Sequence, residues 1–153
     1  MESGPIVEGL GAFLAFAALQ FAEKQVFAPN GLTCLCPPLG AVAVILFSMK
    51  AAPAAQPRAV IGGNLIAGIV GYLIMNSGYG GEWYAKGAAV ALTLTAMKFA
   101  GVTHPPAGAY AFFFVFKQFK DPINILCPGL AGACIILAVQ QGIEAMNSKA
   151  KKA

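Results

Sequence analysis

Residues 104–115 read HPPAGAYAFFFV, and residues 36–47 read CPPLGAVAVILF. In both, two prolines lead into an apolar run, so that Pro37, Pro38, Gly40, Ala41 and Ala43 recur as Pro105, Pro106, Gly108, Ala109 and Ala111. Glycine and alanine matches come easily in apolar sequence, but the Pro-Pro pair stands at these two places alone. The residue before a proline is driven out of the helical region, whereas proline itself suits the first helical position. Each stretch therefore predicts a helix that starts abruptly at its prolines. The runs that follow, Leu39 to Phe47 and Ala107 to Phe116, would rise only about 15 to 18 Å. They are too short to cross a hydrocarbon core of roughly 30 Å and read as half-helices.

The rest of the chain explains why a bilayer enters the reading. Of 153 residues, 58% are hydrophobic and 10% charged, against roughly one quarter charged in soluble domains. Gly9 to Phe27 is largely apolar, with Gln20, Glu23 and Lys24 among its polar residues, and is long enough to span. Ala59 to Asn76, Ala85 to Ala100 and Ile123 to Glu144 are the other expected spans. Trp83 and Tyr84 stand at the start of the third, as an interfacial belt would place them. Pro128 falls in the first turns of the fourth, where proline costs less than at mid-helix.

The predicted fold is an all-α, polytopic membrane helical bundle. It has four full spans plus two half-helices and an internal two-fold repeat over 9–76 and 83–144, in one domain of 153 residues. Short, proline-interrupted apolar segments in corresponding positions of two halves point to a transporter-like site. If each half-helix crosses, the halves are inverted; if each returns, they are parallel. Residues 145–153 form a basic tail with Lys149, Lys151 and Lys152, and in a chain of net charge +4 it suits an anionic lipid surface better than nucleic acid. The amino-terminal MESGPIVEG has neither the basic start and small-residue cleavage site of a signal peptide nor the Arg and Ser richness of a transit peptide. Such a segment is either not needed or already removed.

The chemistry expected at the Pro-Pro turns is that of a helix amino-terminus. Backbone donors of Ala107, Gly108 and Ala109, and of Leu39, Gly40 and Ala41 in the first half, would be open at the positive end of the helix dipole. Two such ends meeting near the midplane would cradle a small anion. His104, the one histidine in the chain, could donate to the same anion, sense pH, ligate a pigment magnesium or a haem iron, or simply cap loose backbone. Asn64, inside the second span, either lines a pathway or bonds across helices. Arg58 could orient a substrate at the mouth or mark a span boundary, and Lys98 could reach the cradle or snorkel to the interface. Gly63, Ala67 and Gly71 recur every four residues, a small-residue seam for a close neighbour. Phe112, Phe113 and Phe114 cover all sides of the second half-helix and suit lipid or protein contact better than flat pigments.

Cys34, Cys36, Cys127 and Cys134 have C-x-C and C-x6-C spacings and no second histidine to complete a site, so no metal is expected. They read as small packed residues. No nucleophile with a base and no phosphate-binding loop appears, and no enzyme is expected.

With QPRAVIGGNL, PPLGAVAVILF and VTHPPAGAYA in view, the chain resembles the HPP family of integral membrane proteins over most of its length, from about Leu35 to the last span. Pro57, Arg58, Gly62, Gly63, His104, Pro105, Pro106, Gly108 and Ala109 match the family pattern, with Pro37 and Pro38 as the first-half counterparts. Asn64 stands where family members often carry histidine, which removes a second ionisable group. The resemblance implies a multi-pass protein, and, because some plastid and cyanobacterial members are linked to nitrite transport, a small anion as substrate and a plastid or cyanobacterial-type membrane as setting. Partners would be membrane lipids and further copies in a homo-oligomer. The alternative is an accessory subunit of a larger, photosynthetic membrane complex. No cofactor is expected for the transporter, whereas a complex subunit could hold lipid, chlorophyll or carotenoid.

Overall fold

The computed structural model describes residues 4–150. Among them are six α-helices and no strand: α1 (Pro5–Ala22), α2 (Leu39–Ser48), α3 (Pro57–Asn76), α4 (Ala85–Ala100), α5 (Pro105–Phe116) and α6 (Gly129–Ala150). Three segments are long and apolar enough to cross a membrane: Pro5–Asn30, Pro57–Asn76 and Pro122–Lys149. The third expected span, α4, has the expected bounds but only 16 residues, or about 24 Å of rise, so its length alone does not make it a full crossing.

Two boundaries depart from the sequence reading. The last span is not one helix from Ile123. A 3-10 turn, Pro122–Ile125, comes first, the Cys127–Pro128 peptide is cis, and α6 starts at Gly129. Proline interrupts the helical backbone here, so Pro128 precedes the helix instead of lying in its first turns. At its other end α6 runs through most of the expected tail, to Ala150; Lys151 and Lys152 lie outside the described residues. In α1 the helix begins at Pro5 and is prolonged by a π turn, Glu23–Phe27, and a 3-10 turn, Ala28–Asn30.

The helices sort into two clusters with separate cores. One is built from α1, α2 and α6, around Leu19, Val42, Leu46 and Ile136. The other is built from α3, α4 and α5, around Met97, Tyr110 and Phe114. Thus α3 leaves α2 to pack on α4 and α5, and α6 leaves α5 to pack on α1 and α2. Contact between α3 and α6 joins the clusters.

Close contacts set the direction of each helix. A methyl added at Gly63 would lie 2.7 Å from His104 Cβ, and one at Gly71 would lie 2.6 Å from Phe114 Cγ, so α3 and α5 run parallel. Arg58, at the start of α3, donates to the Ala100 carbonyl at the end of α4 (3.3 Å), so these two are antiparallel. Gly132 meets Leu39, and Lys50 Nζ lies 3.6 Å from Glu144 Oε1, so α2 and α6 run parallel. Gly11 meets Phe47, while Cys34 Sγ lies 3.6 Å from the Leu19 carbonyl, so α1 opposes α2. Within each cluster one helix opposes the other two: α1 opposes α2 and α6, and α4 opposes α3 and α5.

The two breaks are built alike. Each preceding helix ends on a glycine in the left-handed region, Gly31 at φ 70° and Gly101 at φ 65°. At each, the residue after the glycine donates five residues back, Leu32 to Phe27 (3.0 Å) and Val102 to Met97 (3.0 Å), while the glycine donates to Ala28 or Lys98. This is the Schellman closure, which a side chain at either glycine would strain. The chain then runs extended, as GLT and GVT followed by the Pro-Pro pairs. His104 has φ −132° and ψ 101°. Since Gly63 is six residues inside α3, α5 begins about 9 Å in from the α3 start. The first break lies against Gly132 of α6 in the same way, through the Cys34 carbonyl and Leu39.

Close approach makes glycine a packing residue at these crossings. A Cβ at Gly68 would stand 2.5 Å from the Ile125 carbonyl oxygen, with backbone that cannot step aside, whereas at exposed Gly87 nothing lies within 4 Å. Gly68→Val is expected to cost about 1–3 kcal/mol through overpacking, while Gly87→Ala should stay within about 0.5 kcal/mol. Thermal unfolding of the purified protein in detergent checks both.

Candidate functional site

A helix that starts inside the bundle has to settle its first donors without bulk water. The Pro-Pro pair does most of this by having no N–H where the chain enters the helix. The next donor bonds locally: Ala107 N–H to the His104 carbonyl (3.0 Å) and Leu39 N–H to the Cys36 carbonyl (3.1 Å). Gly40 and Ala41 N–H donate to the Pro37 (3.2 Å) and Pro38 (3.1 Å) carbonyls. The donors of Ala107, Leu39, Gly40 and Ala41, expected to stand open toward an anion, are thus taken up by carbonyls of the same turn. The physical reason is geometric: once two prolines hold the chain helical, each following N–H has a carbonyl three residues back within reach.

Nor do the two glycines face one another. A Cβ on Gly108 would point at Val90 of α4, 4.0 Å away, and one on exposed Gly40 would meet nothing within 4 Å. Pro106 is buried while Pro105 and Ala109 are exposed; in the other half Pro38 is buried while Pro37 and Ala41 are exposed.

His104 is fully buried, with 0% exposure. It is the residue before the first turn of α5. Its Cβ lies against Gly63, next to Met97 of α4, and Gly62 takes Val102 of the same extended strand. Nδ1 of the imidazole is 2.8 Å from the carbonyl oxygen of Ala54, in the turn before α3. Nε2 has no partner. One helix away, Thr93 is fully buried and its hydroxyl is likewise without a partner.

The other expected residues have local roles. Asn64 is 1% exposed, yet its amide donates to Val60 of its own helix at 2.9 Å instead of crossing to another. Arg58 is exposed and caps the α4 carbonyl end through Ala100. Lys98 is exposed in the last turn of α4. The Gly63, Ala67 and Gly71 seam is buried and receives α5. Of the phenylalanines, Phe114 is buried against Gly71 while Phe112 is exposed. All four cysteines are free thiols, and no group of His, Cys, Asp and Glu suited to a metal occurs among the described residues.

Three participants were not evident beforehand. Glu23 turns inward at the end of α1, where its carboxylate accepts the Cys34 N–H (2.7 Å) and so settles the extended strand of the first break. Its signal was an acid in an apolar span. Tyr110 spans the second cluster, its hydroxyl donating to the Asn124 carbonyl at 2.6 Å. The Ala54 carbonyl had no signal, because a backbone acceptor leaves no mark on residue type.

The family model for the HPP transmembrane region matches residues 3–152. A transmembrane protein of Dictyostelium discoideum is 34% identical over 137 residues, covering 84% of this chain and 47% of that protein. A second transmembrane protein of the same organism is 28% identical over 134 residues, covering 84% and 43%. The chain spans a little under half the length of these relatives. No solved structure matches it.

The Glu23 contact is testable without a substrate. Glu23→Ala leaves the Cys34 N–H without its acceptor and is expected to destabilise by about 1–3 kcal/mol. Glu23→Gln keeps an acceptor oxygen and should recover at least half of that loss. Both are read as unfolding midpoints in lipid nanodiscs.

Proposed function

The chain belongs to the HPP transmembrane family and is a multi-pass integral membrane protein, and on that footing we propose that it carries a small anion of the nitrite class across the bilayer. The observation that supports this most directly is the fully buried His104 at the start of a helix that begins inside the bundle. Intramembrane ionisable residues are rare, and they mark substrate or proton pathways. Interrupted helices placed in two halves of opposite sense are a recurrent build of secondary transporters. This reading treats 9–76 and 83–144 as an inverted pair, with α4 as a fourth crossing and α2 and α5 as half-helices completed by their extended strands. It moves the candidate site from paired open helix ends to the interior of the α3, α4 and α5 cluster. No catalysis is assigned. The setting that goes with a nitrite substrate is a plastid or cyanobacterial-type membrane.

A second reading, a subunit that covers or is covered by neighbours, is favoured by α1. Only 17% of its apolar window is buried within the chain, against 44% for α3 and 39% for the last span. Ile6, Leu10, Phe13 and Phe21 all point outward. Further copies of this chain, other subunits with their pigments, or lipid alone would each cover that face.

Reconstitution separates the two. Proteoliposomes should take up nitrite faster than protein-free liposomes, with nitrate or chloride as comparison anions. Folded protein that gives no flux of any of them sinks the transport reading. In native membranes, migration only within an assembly of several different chains would support the subunit reading.

A further inference from the structure

The imidazole of His104 has a defined polarity. A carbonyl oxygen can only accept, so the 2.8 Å contact with Ala54 requires the proton on Nδ1. Among the described residues no carboxylate pairs with this ring, and an uncompensated cation inside the bilayer is expensive. The neutral ring then presents a bare lone pair at Nε2. That atom is fully buried and has no partner, which costs free energy unless a donor reaches it. In the same cluster is the second such atom, the Thr93 hydroxyl oxygen. Thr95 on the same helix settles its hydroxyl on the Ala91 carbonyl at 2.9 Å, while Thr93 does not. Thr93 stands one turn before Met97, and both Met97 and His104 lie against Gly63.

A lone pair repels an anion and attracts an O–H or N–H. We infer that Nε2 of His104 is an acceptor site for a small ligand that brings its own proton, and that the carried species is therefore the protonated form of the weak acid, not the bare anion. This rests on the transport reading above and names its substrate form. The acid's O–H would donate to Nε2, and the proton stays on the ligand oxygen, so no group on the protein changes charge. The Thr93 hydroxyl, which can donate as well as accept, is the second polar atom such a ligand would meet. The expectation that His104 donates to an anion is thereby reversed, because its one proton is already engaged by Ala54.

Since His104 is the one histidine, ¹⁵N-histidine labelling in bilayers reads this ring alone. The expected spectrum shows a protonated Nδ1 and a bare Nε2, and nitrite added in mildly acidic buffer should shift the bare nitrogen. A protonated Nε2, or no shift at saturating nitrite, overturns the inference whether or not transport is seen. In proteoliposomes with a lumenal pH dye and a potassium–valinomycin clamp, nitrite uptake should bring one proton per anion and ignore the membrane potential. Nitrite uptake that follows the potential without acidification overturns the inference and leaves the transport reading standing, whereas absence of flux with a normal nitrite-dependent shift removes transport and leaves the site. His104→Asn keeps a donor near the Nδ1 position and lacks Nε2. It should hold the wild-type unfolding midpoint while proton-coupled flux falls about tenfold, as loss of one hydrogen bond implies. Undiminished flux in that variant also overturns the inference. If the variant does not fold, the labelled wild-type protein decides.

Discussion

Every other feature of this bundle depends on how a helix can begin away from water. Each backbone N–H buried without a partner costs several kcal/mol, roughly, and a helix start normally leaves four of them. Two prolines, at the first two positions of α5 and just ahead of α2, remove two donors outright, and the next is taken by the carbonyl before the prolines, His104 in one half and Cys36 in the other. The strand that leads in needs its own partners. Glu23 supplies one at the first break, while at the second the Schellman bond from Val102 does so. With the backbone settled in this way, a ten- or twelve-residue helix can stand within the bundle and still be joined to a chain that crosses it.

The exchange of third helices follows from the same constraint. An extended strand is thinner than a helix but presents carbonyls and side chains, so its neighbour has to come close without a Cβ in the way. Gly62 and Gly63 of α3 supply that surface to the GVTH strand, and Gly132 of α6 supplies it to the first strand. Each long helix thus lies against the break of the other half, which binds the two clusters through the chain as well as through contact between α3 and α6. His104 is buried because of this arrangement: Gly63 lies against its Cβ and the Ala54 turn holds its ring. The one imidazole in the chain is held in one orientation by a backbone carbonyl, and its chemistry is that of the remaining nitrogen.

Much of this was legible in the residues. Helix-forming apolar stretches, the bounds of α4 and the two abrupt starts follow from composition and proline stereochemistry. The glycine seam in α3 announced a close neighbour. The site was less legible. The helix ends looked like open donors because counting orphan N–H groups treats a helix end in isolation, whereas here the preceding carbonyls curl into reach. From position alone Asn64 could line a pathway or bond across helices, and Arg58 could orient a substrate or mark a span boundary. Their amide and guanidinium instead find carbonyls close at hand, within α3 and at the end of α4.

By itself the sequence determined the solvent, the element type and the places where helices must stop and start, since these depend on side-chain hydrophobicity and on the local stereochemistry of proline and glycine. Only the tertiary structure decided which helices share a core, that in each cluster one helix opposes the other two, and that the Ala54 carbonyl meets His104 across 50 residues of chain. Those are long-range contacts made through backbone atoms and missing Cβ atoms. Backbone carbonyls are identical in every residue, so no residue type could have announced them.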